Sequence, residues 1–80
     1  MTRVPIADDS IRLGQLLKLA GVADSGVDAR ELLDAGEVTV NGEPETRRGR
    51  QIRPGDVVSV DLPTGAERLE VVAAGRPGAD

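Results

Sequence analysis

The chain has 80 residues, 39% of them hydrophobic, and contains no Phe, Trp, Tyr, Cys or His. One small domain with an aliphatic core is the expectation; a disulfide framework, a thiolate or imidazole metal site, the usual neutral-pH acid/base and aromatic stacking on nucleic-acid bases are all excluded. Ten basic residues against fourteen acidic ones give a net charge of -4, which as a sum opposes a phosphate-bearing partner but leaves open how the charges are placed.

Residues 1–9 carry no helical period. Val4 and Ile6 flank Pro5, which suits an N-terminal arm or an edge strand. Arg3, Asp8, Asp9 and Arg12 interrupt every short apolar stretch, so no leader peptide or spanning helix is expected and a soluble cytoplasmic protein is. From Ser10 the stripe Leu13, Leu16, Leu17 and Ala20 predicts an amphipathic helix to Ala20, with Asp8, Asp9 and Ser10 as acceptors at its start and Gly21 as its stop. Ser25 is a natural N-cap for a second helix with stripe Ala29, Leu32 and Leu33, and Asp28 stands where a capping-box acid belongs. Gly36 ends that helix. The connection from Gly21 to Asp24 is short enough to make the two helices packed neighbours.

Beyond them the pattern turns to β. Val38 and Val40 alternate around Thr39, and Asn41-Gly42 predicts a type I′ hairpin because both central positions need positive φ. Pro44 confines the return strand, Glu43 to Thr46, to a sheet edge. Pro54-Gly55 marks a tight turn before Val57 to Val60, with Val58 and Val60 on one face. Asp61 to Glu67 reads as a turn, Arg68 to Val72 pairs back with Leu69 and Val71 inward, and the segment from Ala74 to Asp80 is expected to be a disordered tail. The domain proper is thus 10–73.

The basic residues are unevenly spread. Arg47, Arg48, Arg50 and Arg53 fall within seven acid-free positions, leaving six bases against fourteen acids elsewhere. All but Lys18 are arginine, whose planar fork suits bidentate phosphate contact. The plain alternative is a solvated loop, since charge runs often serve solubility.

The order of helix, helix, Val-x-Val-Asn-Gly hairpin, basic segment and Pro-Gly-Asp turn resembles the RNA-binding domain named after small-subunit ribosomal protein S-four, the alpha-L motif. The matching residues are Ile11-Arg12-Leu13 with Leu16-Leu17, Ser25 with Ala29-Arg30, Gly36-x-Val38-x-Val40-Asn41-Gly42, and Arg53-Pro54-Gly55-Asp56-x-Val58. The run from Leu13 to Lys18, with Glu45-Thr46-Arg47-Arg48, is similar to the small stand-alone bacterial members. The resemblance implies an α+β fold, two packed short helices followed by a small twisted sheet, and a basic surface on the exposed side of the helix pair. Larger members carry an acid and a base where this chain has Gly14 and Gly26, so binding is expected to lean on Arg30 and the arginine segment.

Candidate RNA-binding residues are therefore Arg12, Lys18, Arg30, Asn41, Arg47, Arg48, Arg50 and Arg53. Asn41 reads equally as a turn device, Arg30 with Asp34 as a helix-supporting i,i+4 pair, and Arg53 as a turn residue. Without aromatics, recognition is expected to favour the shape and phosphates of folded RNA, of the rRNA or tRNA class by resemblance, over single strands. The expected protein is a non-catalytic monomer with structured RNA as its partner, and without cofactor, metal, membrane or small-molecule substrate. Two other readings are a protein-interaction adaptor of a ribosome-associated factor, docking basic protein on the acidic body, and a ubiquitin-like sulfur carrier, suggested by Val-Asn-Gly-Glu and Pro-Gly-Asp-Val-Val. The carrier requires a terminal Gly-Gly, whereas this sequence reads Gly78-Ala79-Asp80.

Overall fold

The computed structural model describes residues 1–74. Its elements in chain order are β1 (Thr2–Ile6), β2 (Ile11–Arg12), α1 (Leu13–Leu19), α2 (Gly26–Asp34), β3 (Val38–Val40), β4 (Glu43–Pro44), β5 (Gln51–Ile52), β6 (Val57–Leu62) and β7 (Gly65–Ala73). Five strands form one sheet in the order β1-β7-β6-β3-β4, and β2 pairs with β5 in a separate ribbon. This is the α+β architecture implied by the sequence.

Both helices end as their glycines dictate. Gly21 and Gly36 adopt φ of 79° and 75°, and each follows a Schellman pattern, with Val22 N–H donating to Leu17 O and Glu37 N–H to Leu32 O at 3.1 Å. Positive φ comes without a Cβ penalty in glycine, so the chain reverses there. The start of α2 is also local: the Asp28 N–H donates to Ser25 Oγ at 3.3 Å, while Asp28 Oδ2 accepts from the Asp24 N–H.

The start of α1 differs from expectation. The helix begins at Leu13, not Ser10, and Asp8, Asp9 and Ser10 do not cap it. Arg12 is extended at φ -72° and ψ 143°, because Ile11 and Arg12 pair antiparallel with Ile52 and Gln51. The first helical N–H groups are satisfied instead by the distant arginine segment: Leu13 donates to Arg50 O at 2.8 Å and Gly14 to Arg48 O at 2.9 Å. Ser10 Oγ bonds the Gln51 side chain.

The hairpin forms as predicted, with Asn41 and Gly42 at φ 52° and 87°. Its return strand is only Glu43–Pro44, at the sheet edge where the missing proline N–H has no ladder to break. The expected turn from Asp61 to Glu67 shrinks to Pro63-Thr64, since Leu62 already pairs with Gly65 and Asp61 with Ala66. β1 lies at the opposite edge, parallel to β7, with Thr2 beside Leu69 and Ile6 beside Ala73. Ala74, expected to open the tail, donates its N–H to Ile6 O; the rest of the expected tail, 75–80, lies outside the described residues.

One core joins every layer. Leu13, Leu16, Leu17, Ala29 and Leu33 from the helices meet Val38, Val40, Val58, Val60, Leu69 and Val71 from the sheet, with Val4, Ile6, Ala23 and Ile52 completing the cluster. Leu13, Leu16, Leu17 and the central valines are fully buried. At about 1.5–3 kcal/mol per buried aliphatic side chain, this cluster is the main force holding a chain without cross-links.

Candidate nucleic-acid interface

The arginine segment lies against the start of α1 and shares a cleft with Arg30, Leu33 and Asp34 of α2. Arg47, Arg48, Gly49 and Arg50 form a turn closed by the Arg50 N–H on Arg47 O. Two carbonyls of this turn accept the α1 N–H groups described above, so the backbone must approach α1 closely. Gly14 permits it: a Cβ built there would stand 3.2 Å from Arg48 Cβ. Gly14, where the resemblance implies an acid, is thus a contact surface for the loop.

Two clefts flank Arg48. The first, about 230 Å3, is lined by Arg12, Gly14, Gln15, Lys18, Arg48 and Gly49. The second, about 260 Å3, is lined by Arg30, Leu33, Asp34, Thr46 and Arg48. Arg12, Lys18 and Arg48 are exposed and make no ion pair among the described residues. Arg30 lies 3.8 Å from Asp34, with both side chains largely exposed; such a pair is worth about 0.2–0.5 kcal/mol and yields readily to a phosphate.

The other candidates sit differently. Arg47 and Arg50 turn onto Glu45, at 3.2 and 2.9 Å, and Arg50 is only partly exposed. The three arginines lie on one loop, with Arg47 and Arg48 exposed and Arg50 partly so, and two of the three are paired to an internal carboxylate. Glu45 is 7% exposed. Its carboxyl is pulled down to about 2, first by the Arg47 side-chain bond, then by Arg50 and the Arg47 N–H, against the opposing effect of burial. The same contact raises Arg47 above its ordinary value.

Asn41 and Arg53 lie at neither cleft. Asn41 Oδ1 accepts from the Val57 N–H at 2.9 Å and Nδ2 donates to Asp56 Oδ1 at 3.1 Å, so the amide is engaged at both ends in tying the hairpin to β6. Asp56 in turn accepts from the Arg53 N–H at 2.8 Å. Burial opposes the charge on Asp56, but the Arg53 N–H, the Asn41 amide and the positive charges of Arg50 and Arg53 hold it below its ordinary value. Sequence reasoning passed over Gln15, which lines the first cleft, and the organising role of Glu45. The only sequence signal for the latter is an acid placed two residues before an arginine run in an otherwise polar edge strand.

A third depression has opposite chemistry. Asp24, Asp28, Glu31, Glu37 and Asp61 ring a groove of about 390 Å3 with Val22, Leu32, Ala35 and Pro63 also in its lining. Among the described residues no three carboxylates converge so as to hold a metal, and no helix is long and apolar enough to cross a membrane.

A family model described as "S4 domain" matches residues 4–72. The chain belongs to the S4 domain family. Within it, the chain is similar to the probable ribosome maturation protein RlbA of Bacillus subtilis, 48% identical over 58 residues that cover 72% of this chain and 82% of that protein. It is also 48% identical over 50 residues to the small ribosomal subunit protein uS4m of Schizosaccharomyces pombe, covering 62% of this chain but 15% of that one. The S4 match begins at Val4, within β1, and so takes in the two core residues of that edge strand, Val4 and Ile6.

Proposed function

We propose that this S4 domain binds structured RNA, of the rRNA or tRNA class, through Arg12, Lys18, Arg30 and Arg48, without catalysis, as a cytoplasmic monomer in ribosome maturation. The observation that carries this reading is the gathering of Arg12, Lys18 and Arg48, all exposed and without acidic partners among the described residues, around one cleft of a protein whose net charge is -4. The names of the two relatives support the ribosomal setting. Arg47 and Arg50 shape the turn that carries Arg48, whereas Asn41 and Arg53 belong to the Asp56 turn and line neither cleft.

About four phosphate contacts give a log-log salt slope near -3 to -4, at roughly 0.7 to 0.9 per contact. Anisotropy titrations on an rRNA stem-loop at several salt concentrations measure it. Absence of binding at low salt, or binding insensitive to salt, overturns the proposal. A second reading, an adaptor between RNA and a basic protein segment, is favoured by the acidic groove beside Leu32 and Ala35; crosslinking in cells, followed by identification of both RNA and protein, separates it from RNA binding alone.

A further inference from the structure

Glu45 is the one buried charged residue among those described. Five donors converge on its carboxylate. Oε2 accepts from the Thr46 and Arg47 N–H groups at 3.1 Å and from Arg47 Nε at 3.2 Å; Oε1 accepts from Arg50 Nη1 at 2.9 Å and Arg47 Nη2 at 3.4 Å. The segment is therefore held from two sides, by this carboxylate at its flank and by the α1 N–H groups of Leu13 and Gly14 beneath it. Arg48 sits between these restraints. Of the three arginines in the turn it alone lacks a carboxylate partner among the described residues, and it alone lines the clefts on both sides.

Simple electrostatics assigns Glu45 a harmful role, since an acid on a phosphate-binding loop repels the ligand. The geometry says otherwise. Three untethered arginines would follow any polyanion, because each long side chain adapts to whatever phosphate spacing it meets. With Arg47 and Arg50 paired to a carboxylate that is itself buried, though the Arg47 side chain stays exposed, the turn offers Arg48 as its one guanidinium free of an acid among the described residues, on a backbone held against α1 beside Arg12, Lys18 and Arg30. Only a ligand whose phosphates already have matching separations engages all four together.

We infer that Glu45 is a positioning residue that sets the specificity of this surface for folded over unstructured RNA, by tying Arg47 and Arg50 to its own carboxylate and so holding the turn that carries Arg48 between the two clefts. This rests on the RNA-binding reading above. It assigns to an acidic residue a contribution to polyanion recognition that its charge alone would deny.

The test compares the wild-type chain with Glu45→Gln, which keeps the shape and removes the charge. Binding to an rRNA stem-loop and to poly-U of equal length is measured at about 0.15 M salt, where screening leaves only close contacts. Wild type prefers the stem-loop by at least about tenfold. In the variant, affinity for poly-U stays level or rises, affinity for the stem-loop falls, and the preference drops below about threefold, because freed arginines engage either RNA alike. Hydrogen exchange at the Leu13 and Gly14 amides quickens as their acceptors on the loop loosen. Glu45→Asp keeps the charge but shortens the reach to its five donors, and shifts the preference the same way; it serves if the Gln variant folds poorly. If both RNAs bind more tightly in proportion, Glu45 acts only as a repelling charge, and if both weaken in proportion its role is merely structural; either overturns the inference while leaving RNA binding intact. Failure of wild type to bind either RNA overturns both.

Discussion

The two sides of α2 carry opposite chemistry. At about 100° per residue, Arg30, Leu33 and Asp34 fall on one side and Asp28, Glu31, Leu32 and Ala35 roughly half a turn away. The first side faces Arg48 across a cleft; the second helps ring the acidic groove with Asp24, Glu37 and Asp61. A helix with its side chains is about 10 Å across, comparable to the distance over which physiological salt screens a charge. The acids of one side are thus weakly felt by a ligand on the other. Net charge is a poor guide to the partner of so small a protein; what decides is whether one element's width separates the signs.

The strongest way to break this comparison is to reverse the basic side. Arg12→Glu, Lys18→Glu and Arg48→Glu together should lower stem-loop affinity by about 1,000-fold, or ~4 kcal/mol, with the melting temperature nearly unchanged, since none of the three has an ion-pair partner among the described residues. Anisotropy and a thermal melt on the same sample check both halves. Leu16→Ala attacks what both sides share. Leu16 is fully buried, so its truncation should cost about 2–5 kcal/mol in urea unfolding.

Acid sharpens the comparison, because Glu45 belongs to the basic side. Its folded-state value of about 2 lies below the ordinary 4.5, so its contribution is complete above the ordinary value and is lost as pH falls towards the folded one. Stability should decline over that interval by about 1–3 kcal/mol, as expected for charge-assisted hydrogen bonds, and Glu45→Gln should flatten the decline. Asp56 is shifted in the same direction, and leaves a residual slope in the variant. Urea midpoints across the interval provide the measurement.

Gly14→Ala should destabilise by about 1 kcal/mol despite alanine's better helix propensity, because Arg48 is pinned by its own carbonyl and cannot withdraw freely from the new methyl. Stem-loop affinity should fall with it as Arg48 shifts. The smallest effect belongs to the acidic side. Asp28→Asn with Glu31→Gln should change stem-loop affinity by less than about twofold at 0.15 M salt and by more at 0.01 M, where screening reaches about 30 Å. A large change at the higher concentration would mean that the RNA reaches around α2.

Legibility in the sequence followed the range of the forces involved. The Ser25 cap, the helix stops at Gly21 and Gly36, the Asn41-Gly42 turn and the alternation of Val58 and Val60 are decided within a few residues, and each was read correctly. The resemblance carried the order of elements. What was misread depends on partners far along the chain. Ile11 and Arg12 leave the helical pattern because Gln51 and Ile52 pair with them, and α1 borrows its cap from Arg48 and Arg50. The arginine run showed its charge but not which charges were already neutralised, since Glu45 looks like any surface acid until the edge strand brings it under the loop. Gly14 likewise read as a missing acid, and only the close approach of Arg48 gives it a positive role.

The parallel pairing of β1 with β7 has a consequence for the order in which this protein can be built. Val4 and Ile6 belong to the core, yet their strand partner is the last of the described strands, so a growing polypeptide exposes them until β7 has been made. The helical pair and the β3–β4 hairpin rest on near neighbours and can form early; the closing step brings together opposite ends of the described sequence, and such long-range closure slows folding. A chain interrupted before β7 loses not one strand but two, because the first has nothing to lie against. Its exposed valines and isoleucine then become a hazard for association with other unfinished chains.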